Sequence, residues 1–177
     1  MKIKHLFINL AATLLFSTTA MAQSTQDIGL ICLNPYIPET EDLGQNATSM
    51  LTSKLQQIAT VNGMSGAGFD NRFIITSHVQ KLKSSQTQTF PQKHAVQVNI
   101  GIYVGDGLDG TLYSSYNCES KGIGDTEDQA IANAVRKLNP NQEDLQRAIF
   151  KGKEQILRYY DKMSGNIIQT AKASAAA

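Results

Sequence analysis

The chain has 177 residues, 16 lysines and arginines against 15 aspartates and glutamates, 41% hydrophobic residues, two cysteines and no tryptophan. A formal charge of +1 gives no electrostatic handle on nucleic acid or on an anionic membrane surface. The hydrophobic fraction and length suit one folded domain with a real core.

Residues 1–22 read as an export signal. Lys2 and Lys4 open it, Leu6 to Phe16 form a short apolar run, and Ala20-Met21-Ala22 is a small-x-small cleavage site. The run is too short to span a bilayer comfortably, and no cysteine follows it where a lipid anchor would attach. Removing Lys2 and Lys4 leaves 14 of the 16 basic residues against 15 acids, so the processed chain is expected to be near neutral, soluble and periplasmic or extracellular.

Beyond the signal, Ile28 to Leu33 (IGLICL) is a short apolar run stopped by Asn34-Pro35, which predicts a buried strand. From Asn46 to Val61 the pattern is helical, with Leu51, Leu55 and Ile58 on one stripe, Asn46 or Thr48 as cap and Asn62-Gly63 as the stop. Asn46-Ala47-Thr48 also spells a glycosylation sequon, but the leader has a bacterial character and helix capping is the simpler account. Residues 64–68 form a flexible corner, and Arg72 to Val79 the next strand. Lys81 to Lys93, rich in Ser, Thr and Gln, reads as a mobile loop.

Val96, Val98, Ile100, Ile102 and Val104 alternate with polar or small residues, the mark of a strand with one buried face. Gly105 to Gly110 supply a hairpin turn, and Thr111 to Ser120 resume as a strand until Gly122 and Gly124 break it. Thr126 with Gln129 is a capping box for a helix whose stripe (Ala130, Ile131, Ala134, Val135, Leu138) is rich in small residues and suited to close packing on a sheet. Asn141 caps a last, long helix carrying Leu145, Ile149, Ile156, Tyr159, Tyr160, Met163 and Ile167, with Gly152 and Gly165 as weak points.

The expected fold is therefore α/β (α+β): a single mixed sheet of about four strands in the order β-α-β-β-β-α, packed by helices, plus a long C-terminal helix. The division is 1–22 as signal peptide, 23–140 as the mixed α/β domain, and 141–177 as the C-terminal helix, read as frayed at Ala177 or as the start of an incomplete helical extension.

Few residues suggest chemistry. Gly105, Gly107 and Gly110 match G-x-G-x-x-G, but the match sits between two strands and its Asp106 and Asp109 would repel phosphate, so a hairpin turn is the better reading. Those aspartates offer too few ligands for a calcium cage. His78 and His94 lack metal-ligand spacing, and nothing near Cys118 marks it as a nucleophile. Cys32 and Cys118 could pair in an oxidising compartment or stay as separate buried thiols, and the sequence leaves both open.

The succession IGLICLNP, a helix ending near NG, RFIITSHV, AVQVNIGIYV, TLYSSYNCESKGIG and the helix entry GIGDTEDQA resembles an envelope-protein superfamily over residues 28–138. It contains the TolB amino-terminal domain, penicillin-binding-protein activator lipoproteins and the curli-secretion lipoprotein. The resemblance implies an α/β module that binds other proteins or assembles into rings and carries no catalytic residues. Without a lipobox cysteine, and with no room in Lys81 to Lys93 for membrane-spanning hairpins, a secretion pore does not fit.

The expected function is an exported, non-catalytic module that binds another envelope or surface protein, with Leu108, Tyr159, Tyr160 and Met163 as candidate partner contacts. Self-assembly into a structural or ring subunit is the alternative, and a small periplasmic hydrolase or thiol enzyme a weaker one. No metal, cofactor, nucleic-acid or small-molecule partner is expected.

Overall fold

The computed structural model describes residues 31–39, 41–64 and 71–175. The expected export leader, Ile28 to Leu30 and most of the corner at 64–68 lie outside the described residues. The chain forms β1 (Asn34–Tyr36), α1 (Gln45–Val61), β2 (Phe73–Gln86), β3 (His94–Asp106), β4 (Leu112–Gly124), α2 (Glu127–Arg136) and α3 (Glu143–Ala175). The four strands make one mixed sheet in the order β1-β2-β3-β4. β1 pairs parallel with β2, and the other two ladders are antiparallel.

β3 is the central strand and the clearest product of the sequence. Its period of two buries Val96, Val98, Ile100, Ile102 and Val104 on one sheet face, and all three helices pack on that face. The opposite face carries Gln80, Gln97, Asn99, Asn117, Glu119 and Lys121 toward water, the usual one-sided antiparallel arrangement. α1 buries Ala47, Leu51, Leu55, Ile58 and Ala59.

Close approach explains the glycines in β4. A Cβ at Gly122 would overlap the backbone of Ala130 and Ala134, and one at Gly124 would stand 2.5 Å from the Ala130 nitrogen. Contrary to the sequence reading, these glycines do not break the strand. They lie within it and let the small-residue face of α2 settle on its backbone. Thr126 Oγ1 accepts from Gln129 N–H at 3.2 Å, the first half of the capping box, while Gln129 Oε1 accepts from the N–H of Asp125, one residue before the N-cap.

Three other expectations are corrected. The first strand is Asn34–Tyr36, just after the apolar run, with Ile31 and Leu33 buried ahead of it. Pro35 is tolerated because β1 is an edge strand with one neighbour. Lys81 to Gln86 are strand rather than loop. β2 runs on past the helices, where both its faces meet water and polar residues suffice, through a register shift between Lys81 and Lys83. The N-terminus of α1 is capped by neither Asn46 nor Thr48. Gly44 is the N-cap residue, and the carboxylate of Asp128, across in α2, accepts from the Asn46 and Ala47 backbone N–H groups at 3.1 and 2.9 Å and from Asn46 Nδ2 at 2.7 Å.

Candidate functional site: the corner between hairpin turn and terminal helix

α3 packs across β4 and β3. It buries Leu145, Ile149 and Ile156, and it passes so close to the strands that a Cβ on Gly152 would lie 2.8 Å from Ser114 Oγ and 2.9 Å from Val104 Cγ1. Its next turn reaches the end of the sheet where the β3–β4 turn sits. There Phe73 stacks edge-on against both Tyr159 and Tyr160, each at 5.5 Å, and meets Tyr113 at 6.1 Å. Tyr113 is the extra residue of a bulge opposite the Val104–Gly105 step, which turns its ring toward this cluster.

Arg72 ties turn and helix together. Its Nε donates to Asp106 Oδ2 at 2.6 Å, its NH2 lies 3.6 Å from Asp109 Oδ2, and its guanidinium stands 4.4 Å over the Tyr159 ring. Asp106 is buried, and its other oxygen accepts the Leu108 and Asp109 backbone N–H groups. Gly107 N–H donates to the Arg72 carbonyl at 2.7 Å, and Gly110 takes φ +74°, which closes the turn. The G-x-G-x-x-G match is thus a hairpin turn whose first aspartate is already occupied by protein donors. Burial opposes the Arg72 charge, but the Asp106 bond and the fields of Asp106, Tyr159 and Asp109 outweigh it and raise its pKa. The Asp109 carboxyl is lowered, first by its hydrogen bonds from Thr111.

Of the four candidate contact residues, Tyr159 is half-buried in the aromatic cluster, while Tyr160 (40%), Met163 (40%) and Leu108 (74%) are exposed. The Arg72 bridge brings the turn that bears Leu108 to the helix that bears the other three. Sequence reading did not single out Arg72, Asp106 as a buried ion-pair partner, or Leu112, which is 58% exposed at the foot of the turn. The Arg72–Phe73 pair at the start of a strand, facing two turn aspartates, was the available signal for the first two.

Past Tyr160, every described side chain of α3 through Gln169 is exposed. The segment 161–175 extends the helix by roughly 22 Å at 1.5 Å per residue. Among the described residues no helix is long and apolar enough to cross a membrane.

Some backbone groups at the outer side of β4, and of β2 past its short pairing with β1, are already occupied. Asn133 Nδ2 donates to the Ile123 carbonyl and Lys137 Nζ to the Lys121 carbonyl, both at 2.8 Å, along the outer strand β4. On β2, Glu41 accepts from Val79 N–H at 3.4 Å while also holding His78 Nδ1.

The thiol and histidine candidates do not converge. Cys118 lies on the helix-covered face of β4 opposite Ile100. His78 lies on the other face of β2, and His94 is opposite Gly124, six residues along the same ladder and so about 20 Å away. Burial raises the Cys118 thiol against only a partial offset from Tyr116, which disfavours the thiolate. Cys32 and Cys118 are not joined. Cys32 precedes edge strand β1 and Cys118 belongs to the opposite edge strand, on the order of 14 Å across three strand spacings and well beyond disulfide reach. Among the described residues no group of three His, Cys, Asp or Glu side chains could hold a metal ion. Surface depressions among the described residues include one of about 450 Å³ between α1 and α2 and one of about 310 Å³ beside Glu41 and His78.

No protein-family model matches the chain, and no curated protein does. Solved structures similar to it include a minor lipoprotein from Acinetobacter baumannii, with TM-score 0.43 and 12% identity over 68% of this chain and 94% of that one. Another is a Caulobacter crescentus protein assigned as a lipoprotein, with TM-score 0.35 and 13% identity over 75% of this chain and 90% of that one. A third is a Xanthomonas campestris protein of the family DUF330, with TM-score 0.35 and 13% identity over 76% of this chain and 88% of that one.

Proposed function

We propose that this chain is an exported, non-catalytic α/β module of the bacterial envelope or surface that acts by binding another protein at the hairpin–helix corner. The observation that carries this reading is the end of α3. A helix in water is held chiefly by packing of its apolar face, and a segment as short as 161–175 is marginal by itself. Yet it displays Met163 and Ile168, 40% and 53% exposed, beyond the corner where Arg72 joins the turn of the exposed Leu108 to Tyr159. Large apolar side chains clustered at one end of a molecule are a recognisable mark of an interaction surface. The occupied backbone groups on β4 and β2 and the expected export signal support the same reading. So does the resemblance of its sequence segments to the TolB-containing superfamily, which implies protein binding without catalysis.

Cross-linking the tagged protein in the envelope of its own host tests the proposal. Recovery of one abundant envelope protein or of the chain itself is expected, lost when the chain is ended after Tyr160. Capture that survives this truncation moves the surface elsewhere, and no capture at all defeats the binding reading.

A further inference from the structure

A near-neutral chain can still be locally basic, and the end of the sheet opposite the hairpin–helix corner is. There β2 and β3 are joined through residues 87–93. Thr87 N–H donates to the Lys93 carbonyl at 2.8 Å, Lys93 N–H donates to Thr87 Oγ1 at 2.9 Å, and the Thr87 and Thr89 hydroxyls meet at 2.8 Å. This closed tip carries Phe90 fully exposed, the most exposed large apolar side chain among the described residues. We propose that the tip docks on an anionic phospholipid bilayer, with the Phe90 ring entering the interface and the lysines behind it meeting lipid phosphates.

Charge complementarity selects this occupant. Lys83 of β2, Gln97 of β3 and Lys121 of β4 stand in one cross-strand row on the helix-free face, with the lysines roughly 10 Å apart at two strand spacings. Lys81 and Lys93 are matched by Glu127 and Asp125, but neither Lys83 nor Lys121 forms an ion pair among the described residues. Glu119, the neighbouring acid on β4, accepts from Gln97 Nε2 at 2.8 Å. Lys137 brings a third ammonium to the same end, where its Nζ donates to the Lys121 carbonyl. Between Lys83 and Lys121 lies a depression of about 260 Å³, walled by Ala95 and the exposed Ile123. Ammonium groups flanking an apolar floor suit a molecule that is anionic at one end and hydrocarbon at the other. Lysines near an anionic leaflet are drawn to it, and salt screens the attraction.

The two features also sit at compatible depths. Lys83 lies four residues before Thr87, roughly 13 Å along the strand, and a long lysine stem can reach forward along apolar surface. An apolar group seated ~5–10 Å into the headgroup boundary therefore leaves these ammonium groups near the phosphates. A protein socket for the ring would not by itself answer the lysine row set back from it, whereas a continuous anionic surface answers both. β3 spans about 40 Å from this end to the turn beside α3, so a tip seated on a bilayer holds the proposed protein-binding corner clear of it.

Vesicle co-sedimentation of the purified protein tests the proposal, with vesicles of mixed phosphatidylglycerol and phosphatidylcholine set against phosphatidylcholine alone. Phe90→Trp supplies the insertion reporter, because the chain has no tryptophan of its own. Binding to the anionic vesicles only is expected, weakened by salt and accompanied by a blue shift of the reporter's emission. Phe90→Ser, and Lys83→Glu combined with Lys121→Glu, should each weaken it at least tenfold with the circular dichroism spectrum unchanged. Ending the chain after Tyr160 should leave it unaltered. No binding to anionic vesicles, or equal binding to both kinds, overturns the proposal. Binding indifferent to Phe90→Ser, or lost on truncation after Tyr160, overturns the tip as its location. If the protein ignores vesicles but Phe90→Ser abolishes cross-linking to another envelope protein, the tip is a protein contact and the bilayer proposal falls. Vesicle binding without any captured protein upholds this inference while the function proposed above falls.

Discussion

At the scale of single residues, the most consequential groups are those whose partners lie far away in sequence. Asp106 is buried and holds Arg72 together with two turn amides, so removing its carboxylate strands a charge beside Tyr159. Asp106→Ala should destabilise the protein by about 3 kcal/mol in urea unfolding, the range for breaking a buried pair. Asp128 is the cap of a helix it does not belong to. Burial opposes its charge, but the Ala47 and Asn46 donors overcome this and hold its pKa below the ordinary value. Asp128→Ala should lower stability by ~1 kcal/mol, and the deficit should shrink as pH falls through the Asp128 pKa, where the wild-type carboxylate also loses its charge. Tyr116 acts at the other end of the scale. Burial, then Cys118, pushes its phenol from 10.0 up to about 12, and burial raises Tyr113 and Cys118 as well. Groups raised in the folded state contribute stability that is complete below their unfolded values and is lost as pH climbs through their folded ones. Thermal unfolding should therefore show a steady fall in Tm between pH 9 and 12, reduced in Tyr116→Phe.

At the scale of elements, the period of hydrophobicity was enough for β3, α1 and α2, because each buries one face against one layer. It was not enough where an element outruns the core. Lys81 to Gln86 read as loop because a strand exposed on both faces has no apolar alternation to display, and only its ladder with His94 to Gln97 reveals it. Gly122 and Gly124 read as breakers because a sequence does not show what lies above a strand, here the backbone of α2. The same ambiguity separates the two glycines of α3. Gly152 sits against Ser114 and Val104, whereas nothing lies within 4 Å of a Cβ at Gly165. Gly152→Ala should thus lower Tm despite alanine's better helix propensity. Gly165→Ala should raise the helical circular dichroism signal and stabilise α3 by up to about 1 kcal/mol. The candidate contacts Leu108, Tyr160 and Met163 were legible as apolar residues in polar surroundings, but Arg72, which joins turn to helix, acts through geometry that no local pattern records.

At the scale of the whole molecule, the described residues form a one-sided sheet with one helix left long. Asn133, Lys137 and Glu41 occupy strand backbone groups that would otherwise invite a further strand, and under the proposed reading recruitment falls to the end of α3 and the turn beside it. This gives the protein two parts of unequal stability, a core centred on β3 and a helical end that depends on what covers it. The most direct measurement is amide hydrogen exchange along α3 in the purified protein and in the cross-linked complex recovered from its host envelope. The account predicts that Leu145 to Tyr160 exchange slowly in both, while 161–175 exchange fast in the protein alone and become protected in the complex. Equal, slow exchange along the whole helix in both would mean that the segment is held by its own domain, and would contradict the account.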